Sequence, residues 1–435
     1  MRCRYEQVIL ERLAIRRRYS LFPPLKEVAV AILNSTHTSL AARAVRNRFS
    51  RRILGLRLSI VVFLAIGLLS LAGCGGGEEA KEEESQPPSL EDMQSALDQA
   101  VAAGIPGITL EIQSPEGSEF LTAGSASLED ERSLVSDDRF RIASVTKAFT
   151  AAVVMELVEE GALSLEDTVE DWAPGLLAEG DSITVRQLLG HTSGLPDYTE
   201  ADGFIEAFVA GEDLTPRQIV SFVSSEPLAF EPGTEYEYSD TDNIVLGMII
   251  ESATGSSYEE ELRTRVLEPL DLQDTVLPEG TAMPDPHARG YQYEPGSEGG
   301  GEPEDVTTAL DPSAAWASGA LVSTPSNLSS FFGGLLSGQL IGEDELEQMK
   351  EAVEGEGSPP GPGTKRAGLG IFSYELPCGS VWGHTGSFPG YQTFGAATQD
   401  GVGALAMMAT ATEVSDQANE ALVEAQELAA CRALG

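Results

Sequence analysis

Ser144 and Lys147 stand three residues apart in Phe140-Arg141-Ile142-Ala143-Ser144-Val145-Thr146-Lys147-Ala148-Phe149-Thr150, and no other Ser-x-x-Lys occurs in the 435-residue chain. A serine hydroxyl is a weak nucleophile until a neighbouring base takes its proton. The spacing predicts an amphipathic helix with both side chains on one face, a turn apart. The first backbone N–H groups of such a helix lack intrahelical partners and favour negative charge. Lysine is otherwise scarce: after residue 73 only Lys81, Lys147, Lys350 and Lys365 remain.

Two further segments carry chemistry. In Tyr236-Glu237-Tyr238-Ser239-Asp240-Thr241-Asp242-Asn243, Tyr238 falls on a loop just before a helix. A phenol beside an ammonium is expected to have a lowered pKa and to serve as a base. In Val381-Trp382-Gly383-His384-Thr385-Gly386-Ser387, a polar triplet ends a strand. Such an edge lets a substrate backbone pair as an extra strand, and His384 is a candidate positive charge facing an anionic substrate end. His191, between Gly190 and Gly194, reads as a structural residue holding a loop turn, and Trp316-Ala317-Ser318-Gly319 reads as packing.

The elements that must position these residues sort by period and punctuation. Strand patterns occupy 107–113 and 119–124, turning at Pro115-Glu116-Gly117, and again 369–375, 380–384, 391–397 and 404–409. Between them the chain reads as helices at 184–189, 215–224, 242–253, 258–266 and 325–336, and a helix at 416–434 closes it. The Ser144 helix should stop at Gly161. Residues 294–305 and 354–364 read as exposed loops. The expectation is an α+β fold, an α/β sandwich: one antiparallel sheet built from both chain ends, flanked by helices, with a mainly helical region inserted.

Taken in order, Ser-x-x-Lys, Tyr-x-Asp in place of Tyr-x-Asn, and His-Thr-Gly resemble the motif set of the serine β-lactamase and penicillin-binding protein family. The runs His191-Thr192-Ser193-Gly194-Leu195 and Glu231-Pro232-Gly233-Thr234 resemble further hallmarks of its class C-like branch. His-Thr-Gly is similar to certain serine D-Ala-D-Ala carboxypeptidases of that branch. The resemblance covers about 93–433 and implies a β-lactamase/transpeptidase-like fold. It makes Ser144 the acylated nucleophile, and Lys147 and Tyr238 the shared base and acid. His384, Thr385 and Gly386 would line the substrate strand, and the backbone N–H groups of Ser144 and Ser387 would form the oxyanion hole. It implies a small peptide, ester or β-lactam as substrate, D-Ala-D-Ala carboxypeptidase chemistry first, with β-lactamase or esterase activity as alternatives and no metal or cofactor. A non-catalytic cell-wall peptide binder is the alternative of another class. Asp240 departs from the pattern: an ionised aspartate accepts hydrogen bonds but cannot donate one to a substrate carbonyl, which bears on substrate binding.

The chain's ends have their own logic. Arg46, Arg48, Arg51, Arg52 and Arg57 precede an apolar run from 58 to 71 that closes on Leu71-Ala72-Gly73-Cys74. This reads as a secretory signal over 1–73 and resembles a lipoprotein signal with Cys74 lipidated. The protein would then be exported and tethered to the outer face of a bacterial membrane. Residues 1–45 are longer than a signal needs, and translation is expected to start downstream, near Val45 or Leu54. An acidic tether follows over 74–91, then a single domain over 92–435. Residues 1–73 hold 13 Lys and Arg and 3 Asp and Glu of the chain's 27 and 69, leaving 14 basic against 66 acidic and a net charge of −52. That surface repels nucleic acid and anionic membrane. With Cys3 in the extension and Cys74 lipidated, Cys378 and Cys431 are left to form one disulfide, pinning the last helix to the strand region before Trp382.

Overall fold

The computed structural model describes residues 87–435 apart from 295, 296, 298, 352 and 355–359. The signal, the Cys74 lipidation site and the tether up to 86 lie outside the described residues. Helix α1 (Leu90–Ala102) begins on a capping box, in which Ser89 Oγ accepts the Asp92 N–H while the Asp92 carboxylate accepts the Ser89 N–H. The folded domain therefore starts by Ser89, ahead of the expected boundary at 92.

Strands β1 (Gly107–Ser114) and β2 (Gly117–Gly124) form a hairpin. The remaining strands of the main sheet come from the far end of the chain: β3 (Val353–Glu354), β4 (Thr364–Ala367), β5 (Phe372–Leu376), β6 (Gly379–Phe388), β7 (Tyr391–Thr398) and β8 (Ala404–Ala409). The order is β2-β1-β8-β7-β6-β5-β4-β3, antiparallel throughout. The seam where the two ends meet is β1 on β8, with Ile108 opposite Ala409 and Ile112 opposite Leu405. This is the mixed fold with an antiparallel sheet expected from the sequence. The 294–305 and 354–364 stretches are partly strand, since Glu304–Asp305 pairs with Tyr291–Gln292 and 353–354 and 364–367 join the sheet edge.

Helices cover both faces because both faces are apolar. On one side Met93, Leu97 and Ala100 of α1 and Leu422, Ala425 and Ala429 of the last helix, α5 (Asp416–Leu434), pack on Leu110, Ile112, Phe394 and Met407. A disulfide joins Cys378, in the turn between β5 and β6, to Cys431 of α5, with Cα atoms 5.5 Å apart. On the other side lies the helical region, including α2 (Thr146–Glu159), α3 (Asp240–Thr254) and α4 (Pro325–Leu336). Phe149 of α2 stacks on Phe331 of α4 with ring centroids 3.6 Å apart.

Helix α2 differs from its sequence reading. It is not amphipathic: residues 145–155 are buried without a break, as a helix apolar all round must be. Ser144 precedes it in a short 3-10 turn, Ala143–Val145, and α2 gives way at Gly161, whose φ of 70° no other residue type adopts as readily. Among the described residues no helix is long and apolar enough to cross a membrane.

Candidate active site

Three chain segments converge on Ser144. The first is its own turn. Phe140–Arg141 pairs with Val322–Ser323, and the Ile142 N–H donates to the Leu321 carbonyl. Ala143 then takes a left-handed φ of 50°, an unfavourable conformation that the surrounding contacts must hold. Thr146 Oγ1 donates to the Ala143 carbonyl and accepts the Leu321 N–H. The result leaves Ser144 partly exposed inside an otherwise buried run.

Lys147 is wholly buried, and Nζ has a partner for each of its three hydrogens: Ser144 Oγ at 3.2 Å, Asp240 Oδ1 at 2.5 Å and the Ser318 carbonyl at 2.7 Å. Burying an ammonium costs several kcal/mol unless it is paired and fully bonded, and this one is. The Ser318 carbonyl comes from the Trp316-Ala317-Ser318-Gly319 segment, which the sequence reading assigned to packing. A backbone acceptor carries no side-chain signature, so nothing in the residue types announces it.

The second segment is the loop entering α3. Asp240 is the first residue of the helix, two positions before the expected start, so its carboxylate sits at the positive end of the helix dipole. Ser239 gives α3 no side-chain cap; instead Asp197 Oδ2 accepts the Asp240 N–H at 3.2 Å. Asp197 also takes the Thr199 N–H and hydroxyl, and burial followed by the Asp240 charge pushes its carboxyl up. Sequence reasoning missed Asp197 because it lies on a separate loop.

Tyr238 departs from expectation. Lys147 Nζ is 5.0 Å from its ring centroid, yet burial, and next the Asp240 charge, raise its pKa well above the usual phenol value, with the neighbouring Ser144 hydroxyl opposing. Its hydroxyl is shut off from solvent and has no hydrogen-bond partner of regular geometry. Tyr238 is thus a neutral phenol beside Ser144, not a phenolate base, because the low-dielectric setting penalises the anion more than the ammonium rewards it.

The third segment is β6. Its pairing with β5 ends at Gly383, while pairing with β7 continues to Phe388. From His384 onward, one edge of β6 therefore has no strand partner among the described residues. Gly386 faces the Ser144 turn so closely that a Cβ on it would lie 2.2 Å from the Ile142 carbonyl oxygen. Exposed Ser387 continues this edge, and the Ser144 N–H belongs to a first helical turn, where donors lack intrahelical partners. Thr385 donates its hydroxyl to the Pro360 carbonyl at 2.6 Å, which leaves its oxygen able to accept.

His384 is a second correction. It is wholly buried, packs edge-on against Phe372 at 5.0 Å, and its Nδ1 lies 2.5 Å from the Thr385 carbonyl. Burial, then the Lys147 charge, hold its pKa well below the usual imidazole value. Nδ1 donates to its own strand and the ring is neutral, so it brings no positive charge toward a substrate.

A sheet built from both chain ends, carrying a serine held by a buried lysine at the foot of an unpaired strand edge, defines a serine hydrolase of the β-lactamase fold. The family profile described as Beta-lactamase matches residues 93–429, and the chain belongs to that family. It is similar to penicillin-binding protein 4* of Bacillus subtilis (strain 168), 31% identical over 290 residues that cover 64% of this chain and 62% of that relative. The chain thus spans under two thirds of that protein's length. Among solved structures it is similar to a D-stereospecific amidohydrolase from Streptomyces sp., at 34% identity and a TM-score of 0.68, covering 78% of this chain and 98% of that one. It is also similar to the D-amino acid amidase of Ochrobactrum anthropi SV3 complexed with D-phenylalanine, at 28% identity and a TM-score of 0.69, covering 77% and 97%.

Proposed function

We propose that this protein hydrolyses D-configured peptide, amide or ester bonds through an acyl-enzyme on Ser144. The observation that carries the reading is the buried Lys147 ammonium, 3.2 Å from Ser144 Oγ and 2.5 Å from the Asp240 carboxylate. Passing one Lys147 proton to Asp240 frees Nζ to take the Ser144 proton as Oγ attacks the carbonyl carbon. The oxyanion is received by the Ser144 and Ser387 N–H groups, a pair in which each donor is worth about 3–4 kcal/mol to the transition state. Tyr238, a neutral phenol beside Ser144, gives its proton to the leaving amine or alcohol and is refilled with the proton that Lys147 took from Ser144, so the acyl ester forms beside a neutral Tyr238 and a free Lys147 amine. Water then attacks that ester, yields one proton to Lys147, and Ser144 Oγ takes it back as the acid product leaves.

Carboxypeptidase action on peptides ending in D-Ala-D-Ala falls within this reading, and β-lactams are its natural covalent probes. Amides and esters without a free carboxylate are favoured by one observation: His384 is buried, neutral and bonded to its own strand, so the triplet adds no charge to attract an anionic end. The D-configuration is supported by the two similar structures, a D-stereospecific amidohydrolase and a D-amino acid amidase. A non-catalytic peptide binder would have no use for the Ser144–Lys147 contact. Export and a lipid tether at Cys74 rest on the Leu71-Ala72-Gly73-Cys74 sequence, and metabolic labelling with palmitate, lost in Cys74→Ala, tests them.

The test of the substrate class is a rate comparison on D-alanine amide, L-alanine amide and a D-Ala-D-Ala peptide, with Ser144→Ala as control. The D-amide is expected to be hydrolysed fastest. Absence of Ser144-dependent turnover on every D-substrate would overturn the reading.

A further inference from the structure

Behind Tyr238 lies a pair of buried titratable groups that the proposed reaction does not use. His191 and Asp242 are 2% and 0% exposed at their side chains, and His191 Nδ1 lies 2.8 Å from Asp242 Oδ2. The other Asp242 oxygen accepts from Ser193 Oγ at 2.5 Å. The His191 ring lies against the Tyr238 ring with centroids 4.4 Å apart, and the His191 carbonyl accepts the Glu237 N–H at 3.0 Å. His191 itself adopts a left-handed φ of 52°, which a histidine holds only where its surroundings fix it. One residue therefore grips the Tyr238 loop by main chain and ring, and Asp242 grips that residue.

A third contact bears on the shared proton: the Ser239 N–H faces His191 Nδ1 from 3.4 Å, a long contact. It agrees with a lone pair on Nδ1 and with the hydrogen between Nδ1 and Oδ2 residing on Asp242, as a carboxylic acid donating to the ring; the ring's own hydrogen is then on Nε2, which is buried with no hydrogen-bond partner among the described residues. Burial pushes in the same direction at both groups, raising Asp242 well above the carboxylate range and lowering His191 to about 3. The charged or titratable groups facing the ring are Asp242 and Asp240 from α3, Tyr236 and Tyr238 from the loop before it, Lys147 from α2 and His384 from β6.

We infer that His191 and Asp242 form an uncharged, proton-sharing bracket that sets Tyr238 against Ser144, with His191 and Asp242 as positioning residues. The inference rests on the reading of Ser144 as nucleophile and Tyr238 as its partner. Because Asp242 acts as a neutral donor to Nδ1 and an acceptor from Ser193, asparagine can replace it in both roles; alanine can replace it in neither.

The experiment measures kcat and KM on D-alanine amide across pH for wild type, His191→Asn, Asp242→Ala and Asp242→Asn, with melting curves as a check of folding. Asparagine is chosen at 191 because it tolerates positive φ. His191→Asn and Asp242→Ala are expected to lose about 10- to 100-fold in kcat with KM little changed, as for a misplaced reacting group. Asp242→Asn is expected to restore the rate lost in Asp242→Ala and to keep the wild-type pH profile. Two results overturn the bracket: Asp242→Asn as slow as Asp242→Ala, which would mean a charged pair, or His191→Asn with wild-type kcat. The comparison within position 242 stands even if His191→Asn does not fold. Wild type showing no Ser144-dependent turnover would instead bring down the functional reading beneath it.

Discussion

Gly386 of β6 and Ile142 of the Ser144 turn approach until a Cβ on the glycine would fall 2.2 Å from the Ile142 carbonyl oxygen and 3.1 Å from the Ala143 Cβ. Strand β6 and the Ser144 turn are held in register by the absence of a side chain. Gly386→Ala must push the strand off the turn, since the first atom it meets is backbone. Overpacking of this kind costs about 1–3 kcal/mol, and displacement by an ångström at the reacting atoms costs about 100-fold in rate. The expected outcome is a folded protein, a few degrees less stable, with kcat/KM down by about that factor.

Asp240 carries the negative charge that compensates Lys147. Asp240→Asn leaves an acceptor for Nζ but removes the charge, and its side chain is 21% exposed. Stability is expected to fall by about 1–3 kcal/mol, read from denaturant unfolding. The new amide N–H can donate to a substrate carbonyl, so the KM for D-amides is expected to drop even as kcat falls with loss of the proton acceptor. An unchanged KM would argue against a substrate contact at this position.

The pairing of Cys378 with Cys431 closes a loop spanning 53 residues. The chain-entropy view assigns such a loop about 4 kcal/mol, and measured values for removing a native disulfide run about 2–5. Cys431→Ser is expected to lose stability in that range while keeping its rate on D-amides well below the melting temperature, because the bond ties α5 to the β5–β6 turn, away from Ser144. A comparable loss of rate at low temperature would contradict this.

Arg265 is shared by Glu156 at 3.3 Å, Glu160 at 3.0 Å and Glu261 at 2.6 Å. One guanidinium cannot neutralise three carboxylates, and burial raises Glu156 to about 7, with Arg265 opposing and Glu160 and Glu159 reinforcing. A carboxyl whose folded pKa lies above its unfolded value binds more protons in the folded state between the two, so stability falls as pH rises through that window. From Glu156 the fall is expected between about pH 4.5 and 7. Glu156→Gln should flatten the decline in melting temperature across that range; an unchanged slope would exclude Glu156 as its source.

Much of this arrangement was legible in the sequence, and the limits are physical. Short β-rich runs bounded by turns at both chain ends pointed to the sheet, although helices cover both of its faces and β1 and β8 are buried along most of their length. Spacing placed Lys147 near Ser144, because three residues along a turn fix the distance. What spacing does not encode is dielectric. The spacing suggested a Tyr238 base lowered by Lys147 and a positively charged His384; in the folded chain burial, reinforced by the Asp240 charge at Tyr238 and by the Lys147 charge at His384, keeps both neutral. Partners drawn from backbone or from another loop were equally silent: the Ser318 carbonyl on Lys147, Asp197 at the start of α3, and His191 bracketed by Asp242. The departure at Asp240 was visible in the motif, and its contact with Lys147 gives it a place in the proton path.

The claim on which the rest depends is that Ser144 becomes acylated. The direct measurement is the intact mass of residues 75–435 after mixing with benzylpenicillin and, separately, with a D-alanine ester, beside Ser144→Ala. The expected result is a mass increase of one acyl group, or rapid consumption of the compound, in wild type only. Wild-type protein that gains no mass and consumes neither compound, or a Ser144→Ala variant that reacts as fast, would contradict it.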